Sequence, residues 1–386
     1  MTATSTPPNT DPAALAFIAV IGRDSGAEIA SAMALAEKAV RSVWRGAIML
    51  GLWDTASNGV AVVPAEVREY RALPGTFPIT GNAGMLSWSE CVTAAARQAA
   101  ARNAQALIVV DAVSLEAVDG EPASSALSDA VTRLCAQVWP GIVSVPVVMP
   151  WWQRLPAIHV ARALSAPWTG TVLRDECPRT FVASRTALDE ITRVRWFGVE
   201  DGGWATGHAL GLLAAVRVAH QPLDVGEAEP IGFTGEIPGR PVLDRVRLTS
   251  VARAALAGAK AEVVVAHDAL SGIPADEEFG EMAPPPEVVA TLGDVVDGRA
   301  PAGRGSRGDW AAVLIDAWES ARTGQTPVEE TAAAIAATAM DRIAAWLPEA
   351  MGRGYSGRAA ASAEDAADTF WRHAMPPRRG ESGERR

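Results

Sequence analysis

Short apolar runs alternate with longer amphipathic stretches through the first half of the chain. Continuous apolar runs of this length are typical of strands buried on both faces of a sheet, and apolar residues at helical spacing predict helices. The alternation of the two therefore predicts an α/β fold around a mainly parallel sheet. Strands are predicted at residues 16–21, 46–52, 106–110, 142–148, 181–184 and 216–219.

The helical pattern changes along the chain and divides it into segments. Between the strands, helices are predicted at residues 28–41, 81–101, 187–192 and 204–214. Gly, Pro and acidic residues then become frequent, although residues 248–266 keep the pattern of a helix and a short strand. Large apolar residues return at helical intervals towards the end and predict two or three helices. The predicted segments are a disordered N-terminus at 1–13, the α/β domain at 14–230, a connecting region at 231–308, a helical segment at 309–375 and a disordered tail at 376–386.

Composition narrows the class of protein. A net charge of −11 argues against nucleic acid or an anionic membrane surface as a partner, because both would repel the chain. Cys91, Cys135 and Cys177 lie far apart and form no CxxC pair, which fits a reducing cytoplasm. No basic segment precedes an apolar stretch at the N-terminus, and no apolar run reaches the roughly 18 residues of a membrane span. We expect a soluble, cytoplasmic protein.

Charged residues follow several predicted strands. In open α/β sheets, ligands gather beyond the carboxyl ends of the strands, so these residues are the candidates for chemistry. An Asp in such a place is, taken alone, more often a turn former or a helix cap than a ligand. The candidates are Arg23, Asp24, Asp54, Asp111, Glu200 and Asp201.

The order of these motifs resembles the family 2-type glycosyltransferases of the GT-A fold, and among them the mannosylglycerate synthase and glucosyl-3-phosphoglycerate synthase group. The resemblance covers about residues 16 to 225, and its most specific part runs from ASRTALDEI to GVEDGGW. It implies a Rossmann-like GT-A fold for nucleotide-diphospho sugars, with a C-terminal helical extension. The motifs that carry it are AVIGRD, WDTASNG, GNAGM, VVDAV, ECPRTFVASRTALDEI and WFGVEDGGWATGHALGLL.

The resemblance also implies roles for individual residues. Asp54 would contact the base or ribose, and Asp111 would be the first carboxylate of a DxD motif that holds Mg²⁺ or Mn²⁺ on the diphosphate. Glu200, with Asp201 beside it, would act on the acceptor hydroxyl. Arg23, Asp24 and Gly84 would lie on the donor side, Arg174, Arg179 and Thr180 in the acceptor loop, and Glu227 or Glu229 would help Asp111 with the metal.

The motifs are compatible with two alternative functions. The first is transfer of a sugar from a nucleotide-diphosphate donor to a small acceptor, for which Arg174 and Arg179 favour an anionic one. The alternative is a degenerate GT-A fold that binds a nucleotide or a partner without turnover, because Val113 stands where the second DxD carboxylate is expected. A nucleotidyltransferase and a dinucleotide dehydrogenase rank lower, since IGRDSG has neither glycine-rich pattern.

Several aromatic residues and the assembly state leave alternatives open. Trp151, Trp152, Trp168 and Trp204 suit either a sugar-stacking surface or a core, and the core is favoured for most of them. His159 lies on a predicted helix and is expected to be a packing or capping group. The apolar C-terminal helices serve a homodimer interface as readily as they cover the main domain.

Overall fold

The computed structural model describes most of the predicted elements. The described residues are 12–22, 26–54, 76–80, 88–112, 120–136, 141–145, 147–148, 151–169, 179–193, 224–227, 231–232, 245–260, 284, 286–297, 307–353 and 357–375. By internal contacts the chain forms two compact units. The first contains Met1–Val148 and Cys177–Glu236, and the second contains Met149–Glu176 and Ile237–Arg386.

The first unit is built on a seven-stranded sheet. Its strands are β1 (Leu15–Gly22), β2 (Ala47–Asp54), β3 (Thr76–Thr80), β4 (Ala106–Asp111), β5 (Gly141–Ser144), β7 (Phe181–Ser184) and β8 (Asp224–Glu227), and a separate two-stranded sheet pairs β6 (Val147–Val148) with β9 (Ile231–Gly232). The helices of this unit are α1 (Gly26–Val43), α2 (Trp88–Ala101), α3 (Gly120–Ala136) and α5 (Arg185–Arg193).

The strand order of the large sheet is β3-β2-β1-β4-β7-β5-β8. All neighbouring strands are parallel except β7, which runs antiparallel to both β4 and β5. The chain moves outward from β1 through β2 to β3 and then returns to place β4 on the other side of β1. This topology confirms the predicted α/β fold around a mainly parallel sheet.

Burial explains why the central strands could be predicted from the sequence. Every described position of β4 and all but the first of β1 are buried, so neither strand has a solvent face on which polar residues could alternate. Helix α1 packs against α3, and α2 packs against α5. Strands β1 and β4 therefore form the centre of the core of this unit.

Some elements differ from the sequence prediction. The strand predicted at 142–148 is divided into β5 and β6, which belong to different sheets. The strand β3 was not predicted, because its Pro78 is unusual in a strand. The predicted helix at 204–214 and the strand at 216–219 lie outside the described residues.

The second unit is helical. Its helices are α4 (Arg162–Thr169), α6 (Arg245–Ala257), α7 (Pro286–Asp297), α8 (Arg307–Thr323), α9 (Val328–Arg353) and α10 (Gly357–Ala374), with shorter turns at Trp151–Gln153, Ala157–Ala161 and Gly258–Lys260. Helices α6 and α7 lie within residues 231–308, where a connecting region was expected. Across the described residues, none of the helices combines the length and apolarity needed to cross a bilayer.

Tryptophan side chains connect the helices of the second unit. The indole N–H of Trp168 in α4 donates to the carbonyl of Ala255 in α6 at 2.9 Å, and that of Trp371 in α10 donates to Ala163 in α4 at 2.8 Å. Trp151, Trp152 and Trp168 are almost fully buried, which confirms their predicted place in a core. Trp204 lies outside the described residues.

Candidate functional site

The carboxyl edge of the large sheet has a position suited to ligand binding. The direction of strand addition reverses between β1 and β4, and such a reversal opens a crevice at the carboxyl ends of the two strands. Gly22 ends β1 there, and Asp111 ends β4 in register with Ile21. Of the candidate residues that the sequence identified, Asp111 therefore lies at the reversal itself.

Glycine at the end of β1 brings helix α1 close to this crevice. A Cβ atom placed on Gly22 would lie 2.5 Å from Cγ1 and 2.8 Å from Cδ1 of Ile29, on the second turn of α1. A larger residue at this position would therefore require the Ile29 side chain, or α1 with it, to shift. This role of Gly22 was not predicted, although the IGRD sequence placed a glycine at the strand end.

Asp111 is held in a small network with the residues that precede β7. Its backbone N–H donates to the Thr180 hydroxyl oxygen at 3.2 Å, and its carboxylate lies 3.5 Å from a terminal nitrogen of the Arg179 guanidinium. Thr180 is buried, and its carbonyl accepts from the backbone N–H of Val145 at 2.9 Å. The antiparallel strand β7 produces this contact, since its first residues lie beside the last residues of β4.

Exposure differs sharply between the two charged partners. The Asp111 side chain is 5% exposed, whereas the Arg179 side chain is 45% exposed. The buried carboxylate therefore has its charge offset by an arginine whose side chain is close to half exposed. A guanidinium carries five N–H donors in a planar fork, so one contact with Asp111 leaves donors for a second anion.

Ser144 contributes a polar group that sequence reasoning missed. It ends β5, is buried, and its hydroxyl has no hydrogen-bond partner among the described residues. In register it lies opposite both Phe181 and Glu227. The signal in the sequence was a serine closing a β-branched run, which reads equally well as the start of a turn.

Two further predicted site residues lie at the same edge of the sheet. Asp54 ends β2 in register with Gly22, and Glu227 ends β8. Only their backbone positions are described. The remaining candidates, Arg23, Asp24, Gly84, Arg174, Glu200, Asp201 and Glu229, lie outside the described residues.

The predicted metal site depends on Asp111 and Glu227, whose positions can be compared with what a divalent cation requires. A divalent cation prefers several carboxylate or carbonyl oxygens, but the Asp111 carboxylate already contacts a cation. Asp111 and Glu227 end strands that are separated by β7 and β5, and three strand spacings of roughly 4.8 Å place their backbones about 14 Å apart. No cluster of three or more His, Cys, Asp or Glu suited to a metal occurs among the described residues. The described residues therefore do not by themselves form a site for a divalent cation.

Comparison with known proteins yields structural similarity only. No protein-family model matches the chain, and no curated protein matches it in sequence. A mycobacterial protein shares 15% identity over 65% of this chain and 74% of its own, with a TM-score of 0.42. A mannosyltransferase from Pyrobaculum calidifontis in complex with GDP-Man and Mn²⁺ shares 16% over 89% and 88%, with a TM-score of 0.42. A glucosyl-3-phosphoglycerate synthase from M. tuberculosis shares 14% over 62% and 78%, with a TM-score of 0.37. Similarities of this size carry no information about donor, acceptor or metal.

Proposed function

We propose that the chain is a glycosyltransferase that moves a sugar from a nucleotide-diphosphate donor to a small acceptor. The observation that carries the proposal is the contact of Asp111, Arg179 and Thr180 at the β1–β4 reversal of the sheet. A crevice at a reversal of strand order is a common place for a nucleotide, and an exposed guanidinium beside it suits a phosphate. The motif order over residues 16 to 225 supports the same reaction.

In the proposed reaction, the acceptor hydroxyl oxygen forms a bond to the anomeric carbon of the sugar. The bond from that carbon to the diphosphate oxygen breaks, and the nucleoside diphosphate leaves with the electron pair. Glu200 receives the hydroxyl proton, with Asp201 beside it. Asp54 contacts the base or ribose, Arg23, Asp24 and Gly84 lie on the donor side, and Arg174 favours an anionic acceptor.

A turnover assay tests this proposal. UDP-, GDP- and ADP-sugars are incubated with the purified chain and a panel of small hydroxy acids and sugar phosphates, and the released nucleoside diphosphate is measured. We expect release with one donor, dependent on an acceptor. Glu200→Gln should abolish transfer while donor binding persists, whereas full turnover by this variant would remove Glu200 from the reaction.

The alternative is a GT-A fold that binds a nucleotide or a protein partner without catalysis. Val113 at the second DxD position, together with the Arg179 contact to Asp111, favours it. This function requires saturable nucleotide binding with no release of product for any acceptor. The assay above separates the two functions. A homodimer and a cytoplasmic location stay predictions.

A further inference from the structure

The motif at the end of β4 differs in charge from the motif that the resemblance implies. A DxD motif brings two carboxylates to one metal ion, but here the second position is Val113. In place of a second carboxylate, the structure places the Arg179 guanidinium 3.5 Å from the Asp111 carboxylate. Two negative charges are thus replaced by one negative and one positive charge.

This change alters which ion the site attracts. The Asp111–Arg179 pair is neutral overall, and its positive member is the more exposed. A divalent cation at Asp111 would share the carboxylate with a guanidinium, whose positive charge repels it. An anion is attracted to a half-exposed cation, and the contact with Asp111 occupies only part of the planar fork of N–H donors that a guanidinium carries. The charges of the Asp111–Arg179 pair therefore favour a phosphate group over a metal ion as the ligand.

The backbone holds Arg179 at this place. Thr180, the next residue, is fixed at both ends, since its hydroxyl accepts from the Asp111 N–H and its carbonyl accepts from the Val145 N–H. Phe181, which follows, is buried between β4 and β5. Three neighbouring strands thus position the Cα of Arg179, so less conformational freedom is lost when the guanidinium binds an anion.

We propose that this site binds the diphosphate of the donor without a divalent metal, with Arg179 as the group that contacts the diphosphate and Asp111 as the residue that positions Arg179. The inference rests on the proposed function, because it takes a nucleotide diphosphate as the ligand. It moves Arg179 from the acceptor loop, where the sequence placed it, to the donor side. It also removes Asp111 and Glu227 from the role of metal ligands.

Calorimetric titration of the full chain tests the proposal. UDP, GDP and ADP are each titrated in excess EDTA and again in Mg²⁺ or Mn²⁺. The nucleotide that binds should show dissociation constants within about threefold of each other in all three buffers. Arg179→Gln should weaken its binding in EDTA by about tenfold or more, as expected for loss of a charged contact. Arg179→Lys should recover part of the loss, because it keeps the charge but not the fork.

Two further variants provide a control and a test of the role of Asp111. Arg102→Gln removes an exposed arginine just before the start of β4, at the opposite edge of the sheet, and should leave binding unchanged. Asp111→Asn distinguishes a positioning residue from a metal ligand. We expect this variant to weaken binding in EDTA, but by less than Arg179→Gln does, because Arg179 keeps its charge and loses only the partner that orients it. The loss should be the same with Mn²⁺, whereas a metal ligand would affect binding only when the metal is present. Thermal melting of each variant shows that its fold is kept.

The outcomes distinguish metal-free binding of the diphosphate from the proposed function. Binding that disappears in EDTA and returns with Mn²⁺ would overturn the metal-free site while leaving the proposed function intact. Binding by folded Arg179→Gln that is as tight as wild-type binding would likewise overturn the role of Arg179 and leave the proposed function intact. Absence of binding by wild type in every buffer would contradict the proposed function itself.

Discussion

The imidazole of His159 packs edge-on against the indole of Trp346, with ring centroids 4.8 Å apart. His159 lies in the π-helical turn Ala157–Ala161 and is buried, and neither ring nitrogen has a hydrogen-bond partner among the described residues. Burial, with the added effect of the positive charge of Arg342, lowers the pKa of His159 from 6.5 to about 3. The native protein therefore holds a neutral imidazole over most of the acidic range.

We expect this histidine to make the protein sensitive to acid. The unfolded chain takes up a proton on His159 near pH 6.5, whereas the native protein does so only near the folded pKa of about 3. Its contribution to the free energy of unfolding is thus complete above pH 6.5 and is lost as pH falls towards 3, by about 1.4 kcal/mol per pH unit. Urea denaturation at a series of pH values measures this slope.

His159→Phe should remove the contribution of His159 to the pH dependence of the free energy of unfolding. Between about pH 6.5 and pH 5, the variant should lose about 2 kcal/mol less stability than wild type. The exposed His373, changed to Gln, is a matched control that leaves the buried imidazole in place. An unchanged slope in His159→Phe would show that the ring is protonated in the native protein or that another group governs the acid response.

A second prediction concerns the glycine beneath Trp168. A Cβ atom on Gly258 would overlap the atoms of the Trp168 indole, whose N–H is fixed to the Ala255 carbonyl. Gly258→Ala should therefore destabilise the second unit by about 1–3 kcal/mol through overpacking. Gly293→Ala in helix α7 is the control, because nothing lies within 4 Å of its added Cβ, and it should be neutral or stabilising by up to about 1 kcal/mol. Equal effects of the two changes, measured by denaturation, would contradict this packing.

The two indole hydrogen bonds of the second unit should differ in strength. Trp168→Phe leaves the Ala255 carbonyl buried without its donor, at a cost of about 1–3 kcal/mol from that group, together with a loss of packing. Trp371 is only partly buried, so water can replace its N–H at the Ala163 carbonyl. We expect Trp371→Phe to cost less than Trp168→Phe in equilibrium unfolding. The reverse order would place the more important contact at Trp371.

A fourth prediction tests the anchor of the site. Thr180→Val keeps the shape of the side chain but removes the oxygen that accepts from the buried Asp111 N–H. The unpaired N–H should cost about 1–3 kcal/mol of stability, and Thr180→Ser should recover most of it. We also expect weaker nucleotide binding by Thr180→Val, since Arg179 is then held less firmly. Stability equal to wild type in Thr180→Val would show that the bond is unimportant in solution.

The elements that could be predicted from the sequence are those whose burial is complete. Strands β1 and β4 are buried along nearly their whole length, so their apolar runs are unbroken, and Asp111 stands out where the second run ends. The division of residues 142–148 into β5 and β6 could not be read in this way. It depends on which partner strand each half pairs with, and a continuous apolar run is compatible with either arrangement.

The central contact of the site also depends on topology. Thr180 follows Asp111 by 69 residues, and the two meet only because β7 inserts antiparallel between β4 and β5. Hydrophobic periodicity gives the existence of a strand but neither its direction nor its neighbours. Arg179 could therefore be identified as a candidate for an anionic ligand, but its contact with Asp111 required the structure. The environment of His159 was missed for a similar reason, since Trp346 comes from a distant helix.

The most direct test of the account is a crystal structure of the chain grown with the nucleoside diphosphate that binds most tightly, in EDTA. We predict electron density for the diphosphate beyond the carboxyl ends of β1 and β4, with the Arg179 guanidinium within hydrogen-bond distance of a phosphate oxygen. Asp111 should still contact Arg179, as it does here. A nucleotide bound elsewhere on the chain, or a diphosphate whose phosphates lie away from Arg179, would contradict the account.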